Sequence, residues 1–187
     1  MDSCFPRRIL LAVTGLTPQV VTETLYALAV QRQPPFIPTE IHLLTTAEGA
    51  EAARLGLLSA DPGWFHRLCR DYELQAMAFD ASHIQVLRDA DGAPLEDIRT
   101  PADNQRAADT ITETLRTLTA DPDAALHVSI AGGRKTMGYY LGYALSLFGR
   151  PQDRLSHVLV SAPFEGCPAF YYPTAYHNVI TLRDNKL

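Results

Sequence analysis

The sequence has little of what marks secreted, membrane-spanning or metal-binding proteins. Its three cysteines are few, odd in number and widely spaced, which favours reduced thiols in a cytoplasmic protein over a disulfide framework. No apolar run reaches the length of a membrane span, and the first eight residues lack the apolar core of a signal peptide. We therefore expect a cytoplasmic protein with no membrane partner.

Several motifs of familiar enzyme classes are also missing. The chain contains no Walker A loop, no Gly-x-Gly-x-x-Gly turn after its first strand and no Gly-x-Ser-x-Gly elbow. This counts against an unrelated nucleotide-using enzyme such as a dehydrogenase or a small-molecule kinase. The six histidines are scattered without a His-x-x-x-His pair, so we expect structural or exposed roles and no metal site. Only His157 and His177, which lie late in the chain, are expected to reach a pocket.

The formal net charge of -5 argues against a broad surface for binding nucleic acid. Neither a helix-turn-helix pattern nor a basic stripe is evident, which weakens a transcription-regulator hypothesis and argues against a long nucleic-acid partner. A local basic pocket remains compatible with the charge, since a few cations act at short range.

What the sequence does contain is an alternation of strand and helix patterns over 187 residues. The predicted strands are Ile9–Val13, Glu40–Leu44, Ile84–Leu87, Leu126–Ile130, Leu155–Val160 and Ala169–Tyr172. Such alternation predicts an α/β fold, a Rossmann-like parallel sheet of about six strands with helices on both faces. We divide the chain into one domain, residues 1–175, and a tail or linker, residues 176–187.

The predicted helices begin at recognisable caps. Thr17 followed by Pro18 predicts an N-cap and a first helical residue, and Thr45 to Glu48 reads as a capping box. Thr100 to Asp103 predicts a third helix start, with proline at its first position. A turn signal at residues 89–92 predicts a hairpin lobe near 84–98. Trp64 and Tyr72 fit the core better than a ligand-stacking role.

The stretch Ser129 to Gly138 stands out at the junction of a predicted strand and helix. Its two glycines, Gly132 and Gly133, permit a sharp turn and close backbone approach. Arg134 and Lys135 follow at the positive end of a helix dipole, where cations are unfavourable unless an anion is also present. The stretch alone is open to two interpretations, a phosphate site or a glycine-rich turn with two solvated cations.

A second strand–helix junction, Thr14 to Gln19, offers hydroxyls and free N–H groups. Both junctions lie at carboxyl ends of predicted parallel strands, which is where ligands bind in open α/β sheets. Their convergence favours a real binding site.

Together the two stretches resemble CARF domains, the CRISPR-associated Rossmann-like domains. Leu10 to Glu23 resembles their first strand and loop, and Ser129 to Met137 resembles the loop motif after their fourth strand. The resemblance implies a homodimer that binds a cyclic oligoadenylate, most often the four-membered ring, made by type III CRISPR complexes in antiviral defence. It also implies either a metal-independent ring nuclease without cofactors or a sensor for a fused effector beyond Leu187.

Site residues follow from this resemblance and from the chemistry of the loops. Lys135 is predicted to stabilise charge at the phosphorus during cleavage, and Thr17 to orient the attacking 2′-hydroxyl, where some relatives carry serine. The predicted ligand-binding residues are Thr14, Gly15, Leu16, Pro18, Gln19, Ala131, Gly132, Gly133, Arg134, Thr136 and Met137.

Overall fold

The computed structural model describes residues 5–181 and contains one parallel sheet of five strands in this part of the chain. The strands are β1 (Arg7–Val13), β2 (Glu40–Thr45), β3 (Ile84–Val86), β4 (Ala124–Ser129) and β5 (Arg154–Ser156). Their order across the sheet is β3-β2-β1-β4-β5, and every neighbouring pair is parallel. The predicted α/β, Rossmann-like class is confirmed.

Five α-helices connect the strands. They are α1 (Gln19–Tyr26), α2 (Ala47–Ala53), α3 (Trp64–Asp71), α4 (Pro101–Thr119) and α5 (Lys135–Phe148). Helices α1 and α2 each continue into one π-helical turn, Ala27–Gln31 and Arg54–Leu58, and a short 3₁₀ turn, Ala81–His83, precedes β3. Helices α1, α2 and α3 cover one face of the sheet, while α4 and α5 cover the other.

Strand β1 shows why the sheet is buried on both faces. Leu10 and Ala12 point into the core under α1 to α3, while Ile9, Leu11 and Val13 point into the core under α4 and α5. This alternation follows from the two-residue period of a strand, and an uninterrupted apolar run is what a doubly covered parallel strand needs. Truncating Ile9, Leu10 or Leu11 to alanine is expected to cost about 2–5 kcal/mol.

The prediction of about six strands was one too many for residues 5–181. The stretch Leu155–Val160 leaves the sheet after Ser156, and Ala169–Tyr172 forms no strand. Prolines interrupt this region of the chain at positions 163, 168 and 173, and each removes a backbone N–H that a sheet ladder would use. The segment is held instead by aromatic packing: Tyr171 stacks on Trp64 with ring centroids 4.9 Å apart.

Two of the three helix N-caps lie one residue later in the chain than predicted. Helix α1 begins at Gln19 with Pro18 as N-cap, so Thr17 does not cap it. The cap of α2 is Thr46, whose Oγ1 accepts a hydrogen bond from the Gly49 N–H, while Thr45 donates to the backbone oxygen of Thr14. The capping box from Thr100 to Asp103 is confirmed in full.

Other predictions concern smaller features. The lobe near 84–98 contains a bridge between Arg88 and Pro94 that closes the turn at 89–92. Trp64 and Tyr72 pack against the core, as predicted.

Cys69 and Cys167 are free thiols. Cys4 and the end of the predicted tail, residues 182–187, lie outside the described residues. Among residues 5–181, no helix has the length and apolar character needed to cross a bilayer.

Candidate functional site

The two predicted loops meet because their strands are neighbours. Strand β1 pairs with β4, with Ala12 opposite Ser129, so residues 14–18 and 130–134 leave the same edge of the sheet side by side. The strand order also changes direction here, since β2 and β3 lie on one side of β1 while β4 and β5 lie on the other. Such a switch point opens a crevice at the carboxyl ends of the strands.

The glycines of the second loop are required by its packing on the first. A Cβ at Gly132 would lie 2.7 Å from the backbone oxygen of Val13 and 2.8 Å from Val20 Cγ2. Gly133 has φ +76°, a backbone conformation that side-chain-bearing residues rarely adopt. The backbone of the second loop therefore does approach a neighbour closely, but at Gly132 that neighbour is the end of β1.

A cleft of about 320 Å³ opens where the loops meet, and we call it the loop cleft. The first loop, the second loop and the start of α5 contribute half a dozen of the predicted site residues. Its lining consists of Gly15, Leu16, Thr17, Thr46, Glu48, Glu96, Asp97, Gly133, Arg134 and Met137. The lining contains three carboxylates, Glu48, Glu96 and Asp97, so the cleft is not simply cationic.

Arg134, predicted to bind a phosphate of the ligand, is paired with a carboxylate of the protein. Its Nε donates to Asp97 Oδ1 at 3.0 Å, and its Nη2 donates to Asp97 Oδ2, which makes the pair bidentate. The hydrogen bonds from Arg134 lower the pKa of Asp97 to about 2. Because the Arg134 side chain is 57% exposed, this pair is a weak surface interaction that an incoming anion can displace.

Lys135 differs from its neighbour. It is the first residue of α5, and the N-cap before it, Arg134, makes no side-chain capping hydrogen bond. Across residues 5–181, the exposed Lys135 ammonium has no hydrogen-bond or ion-pair partner. An uncapped helix start with an unpaired cation is a favourable position for an anion. Thr136 lies beside it and is also exposed.

The first loop contains one buried and one exposed hydroxyl. Thr14 is completely buried, and its Oγ1 has no hydrogen-bond partner in the described part of the chain. Thr17 is exposed and Pro18 is buried beneath it. Of the two, Thr17 is therefore the hydroxyl that a ligand in the cleft can reach directly.

A second cavity, of about 400 Å³, lies between α1 and the segment 157–168, and we call it the α1 cavity. Leu16 and Thr17 line both this cavity and the loop cleft. Its other lining residues are Gln19, Val20, Glu23, Ala131, His157, Val158, Leu159, Val160, Glu165, Gly166, Cys167 and Pro168. Of the two late histidines, His157 reaches a cavity, whereas His177 is exposed outside both of them.

Two polar groups on α1 lack partners in this cavity. Gln19 Nε2 donates to the backbone oxygen of Pro168 at 2.9 Å, which leaves its buried Oε1 without a hydrogen bond from residues 5–181. The Glu23 carboxyl, one turn later, also makes no hydrogen bond or ion pair with the described residues. Burial raises the pKa of Glu23 to about 7, so an appreciable fraction is protonated at neutral pH.

Sequence reasoning missed the acidic residues at both places. Glu48 was interpreted only as part of a capping box, and Asp97 lies in a stretch without regular periodicity. Glu23 is the last residue of the first motif, and the sequence analysis assigns it no role. Its spacing of four from Gln19, which places both on one helix face, was the signal available.

Comparison with protein-family models decides the family. Residues 17–187 match the model of the CRISPR-associated protein NE0113 family. The chain belongs to this CRISPR-associated family. The matched range begins within the first loop, at Thr17, and contains all of the second loop, so both parts of the candidate site lie in or beside the region that defines the NE0113 family.

A solved structure shows the fold of this NE0113 family member in another protein. Csm6 of Enterococcus italicus, solved with cyclic hexa-2′-fluoro-hexa-dAMP bound, matches with a TM-score of 0.50 and 15% identity, over 85% of this chain and 34% of the Csm6 chain. A Listeria monocytogenes protein described as a UDP-N-acetylglucosamine 2-epimerase matches with a TM-score of 0.36 and 17% identity, over 81% and 31% of the two chains. The second score is too low to support an argument.

These matches bear on the resemblance to CARF domains. Together with the NE0113 family, the Csm6 match confirms a CARF-type protein at the level of family and fold. The chain spans about a third of the length of the Csm6 chain that it matches. A search of curated protein sequences gave no match.

Proposed function

We propose that this protein binds a cyclic oligoadenylate across the loop cleft. The observation that carries the proposal is the meeting of the Thr14 to Pro18 loop with the Gly132 to Lys135 loop at the switch point of the sheet. The Csm6 structure with the same fold holds a cyclic oligonucleotide of adenine nucleotides, which supports this ligand class.

The chemistry of the second loop suits the phosphates of such a ring. Lys135 supplies an unpaired ammonium, and the uncapped start of α5 supplies backbone N–H groups. Arg134 can bind a phosphate in a bidentate manner once it leaves Asp97. Thr17, exposed on the opposite loop, is in reach of ribose hydroxyls.

We further propose that the bound ring is cleaved by its own 2′-hydroxyl. The 2′-oxygen attacks the adjacent phosphorus, the bond from phosphorus to the 5′-oxygen breaks, and the 2′-hydroxyl proton ends on that leaving oxygen. The products are a 2′,3′-cyclic phosphate and a free 5′-hydroxyl. Lys135 stabilises the extra negative charge on the phosphorane, and Thr17 holds the attacking hydroxyl in line.

A sensor without catalysis is the second candidate. The observation that favours it is chain length, because this chain corresponds to only about a third of the matched Csm6 chain. In that case, ring binding to residues 1–175 would control an effector joined through residues 176–187.

We also propose a homodimer that forms through α5. Its solvent face carries Tyr139, Tyr143 and Leu147, which are 65%, 54% and 58% exposed although large and apolar. These residues are spaced by four and form one stripe, and Tyr139 stacks on Tyr143. Because α5 begins at Lys135, pairing two copies along this stripe brings two phosphate sites toward one two-fold axis, as a cyclic ligand with repeated units requires.

The experiment is to incubate the purified protein with radiolabelled cyclic tetra-adenylate or hexa-adenylate in excess EDTA. Retention on a filter measures binding, and gel electrophoresis measures cleavage. Linear products with a cyclic phosphate end establish a metal-independent ring nuclease, while retention without cleavage establishes a sensor. Absence of binding to both rings would refute the proposed ligand class.

A matched variant tests the dimer separately. Tyr143→Glu places a charge on the stripe without touching either loop, and we expect sedimentation equilibrium to show a shift from dimer to monomer. Glu51→Lys, at an exposed position of α2 on the opposite face of the sheet, is the control for a charged surface change. A dimer that survives Tyr143→Glu would contradict pairing through α5.

A further inference from the structure

Two carboxylates of the loop cleft have no part in the phosphate contacts proposed above. Glu48 and Glu96 are exposed, line the cleft and make no hydrogen bond or ion pair with the described residues. Asp97 differs, because Arg134 already binds it in a bidentate manner. A carboxylate repels phosphate and accepts hydrogen bonds, so Glu48 and Glu96 suit a part of the ligand that donates a hydrogen bond.

The start of α2 packs closely on the first loop. Thr45 Oγ1 donates a hydrogen bond to the backbone oxygen of Thr14 at 2.8 Å. A Cβ at Gly49 would lie 2.7 Å from the backbone oxygen of Gly15, so the packing leaves room for glycine alone. Glu48 lies between these two contacts in the sequence, and its backbone is therefore held against the first loop.

The strand order places Glu48 and the cations on opposite sides of the first loop. Strand β1 lies between β2 and β4, so the first loop leaves the sheet between the start of α2 and the second loop. A phosphodiester bound over Thr17 would meet Arg134 and Lys135 from one side and Glu48 from the other. This polarity suits a phosphate and its neighbouring 2′-hydroxyl, which can donate a hydrogen bond.

The proposed cleavage needs a group that accepts the proton of the 2′-hydroxyl, because a hydroxyl is a weak nucleophile until a base removes that proton. Among the described residues that line the loop cleft, only the carboxylates can serve, since the other polar side chains are threonines and an arginine. Asp97 is engaged by Arg134, and Glu96 lies in a segment without regular structure. Glu48 remains as the carboxylate whose backbone is fixed beside the first loop.

We propose that Glu48 is the general base of ring cleavage. This inference rests on the proposed function, because it names the group that activates the 2′-hydroxyl in the same cleft. A Glu48 oxygen takes the 2′-hydroxyl proton while the 2′-oxygen bonds to phosphorus, and the bond from phosphorus to the 5′-oxygen breaks with its electron pair on that oxygen. Water protonates the 5′-oxygen, and the proton that Glu48 then releases neutralises the resulting hydroxide.

The test measures cleavage and binding of the same ring by variants of Glu48. Radiolabelled cyclic tetra-adenylate and hexa-adenylate are followed in single-turnover reactions with excess EDTA, and filter retention gives the affinity. Glu48→Gln keeps the size of the side chain and removes the base. We expect its cleavage rate to fall by about 100-fold or more while its affinity for the ring stays within about threefold. Glu48→Asp keeps a carboxylate and is expected to cleave faster than Glu48→Gln.

Two further variants locate the effect. Glu51→Gln removes an equal charge from an exposed position of α2 that does not line the cleft, and its cleavage rate is expected to equal that of wild type. Glu96→Gln removes the other unpaired carboxylate of the cleft, and we expect a loss of less than about tenfold. Circular dichroism verifies that each variant is folded.

The outcomes separate this inference from the proposed function. A Glu48→Gln protein that cleaves as fast as wild type, or that loses affinity as much as rate, overturns the inference and leaves the proposed ligand standing. A wild-type protein that binds a ring without cleaving it overturns the inference and supports the sensor. A wild-type protein that binds neither ring overturns the proposed function, and this inference with it.

Discussion

The loop cleft and the α1 cavity share Leu16 and Thr17, yet their polar groups are in opposite states. In the loop cleft, the main cation is already paired, because Arg134 is bound by Asp97. In the α1 cavity, Gln19 Oε1 and Glu23 have no partner among residues 5–181. A ligand of the loop cleft would therefore have to displace an ion pair, whereas the α1 cavity contains polar groups that no residue of the described chain satisfies.

Gly132→Val is expected to have the largest effect, because the new side chain damages both the loop cleft and the α1 cavity. The new side chain would meet the backbone oxygen of Val13 and the Val20 side chain, which lines the α1 cavity. We expect a loss of about 3 kcal/mol in the free energy of unfolding, measured by urea denaturation, together with loss of ring binding. Normal stability would contradict the described contact between the loops.

Lys135→Ala tests the unpaired cation that follows Arg134 at the start of α5, beside the loop cleft. If the ring is cleaved, we expect turnover to fall by about 100-fold while affinity falls much less, since the charge on the phosphorane exists only in the transition state. Lys135→Arg, which keeps the charge, is the matched variant. Equal losses of affinity and turnover would assign Lys135 to ground-state binding instead.

A pair of glycine variants separates strain from function. Gly133 and Gly92 have φ +76° and +83°, so alanine at either position is expected to cost about 1–2 kcal/mol of stability in urea denaturation. Only Gly133→Ala is expected to weaken ring binding, because Gly133 lines the loop cleft and Gly92 does not. Equal binding by the two variants would remove Gly133 from the site.

Glu23→Gln tests the α1 cavity through pH-dependent stability. Since burial raises the pKa of Glu23 from 4.5 to about 7, the folded state holds a proton that the unfolded state releases, and stability falls as pH rises through this interval. The variant should gain on the order of 1 kcal/mol at pH 8 and nothing at pH 4, after allowance for partial exposure. Thermal unfolding at both pH values measures this, and equal gains would contradict it.

Asp97→Asn is expected to have the smallest effect, and it changes only the loop cleft. Without the carboxylate, Arg134 no longer has to leave an ion pair, so ring affinity should rise by up to about fivefold at low salt. Glu96→Gln removes the same charge from the same cleft without touching that pair. A similar rise in both variants would attribute the effect to net charge.

The sheet and the meeting of the loops could be predicted because they follow from local patterns. The apolar run before Thr14 and the run before Ile130 predict buried parallel strands, and parallel strands place their carboxyl ends at one edge. Both glycines of the second loop were recognised for a physical reason that the structure bears out at Gly133, whose φ is positive.

The electrostatic state of the site could not be predicted in the same way. Asp97 and Arg134 are 37 positions apart and meet only because the irregular segment before α4 passes the start of α5. The burial of Glu23 depends on segment 157–168, which leaves the sheet after β5 and was predicted partly as strand. Both features arise from tertiary packing of segments without periodicity.

The pairing of β1 with β4 has a consequence for ring-size selection. The two loops start from adjacent strands held about 4.8 Å apart by backbone hydrogen bonds, and such a spacing does not vary with the ligand. The contacts that a single nucleotide makes are thus fixed by the sheet, whatever the number of nucleotides in the ring. In the proposed homodimer, discrimination between a four-membered and a six-membered ring would therefore depend on parts outside the sheet, namely segment 157–168 and the distance between the two protomers across α5.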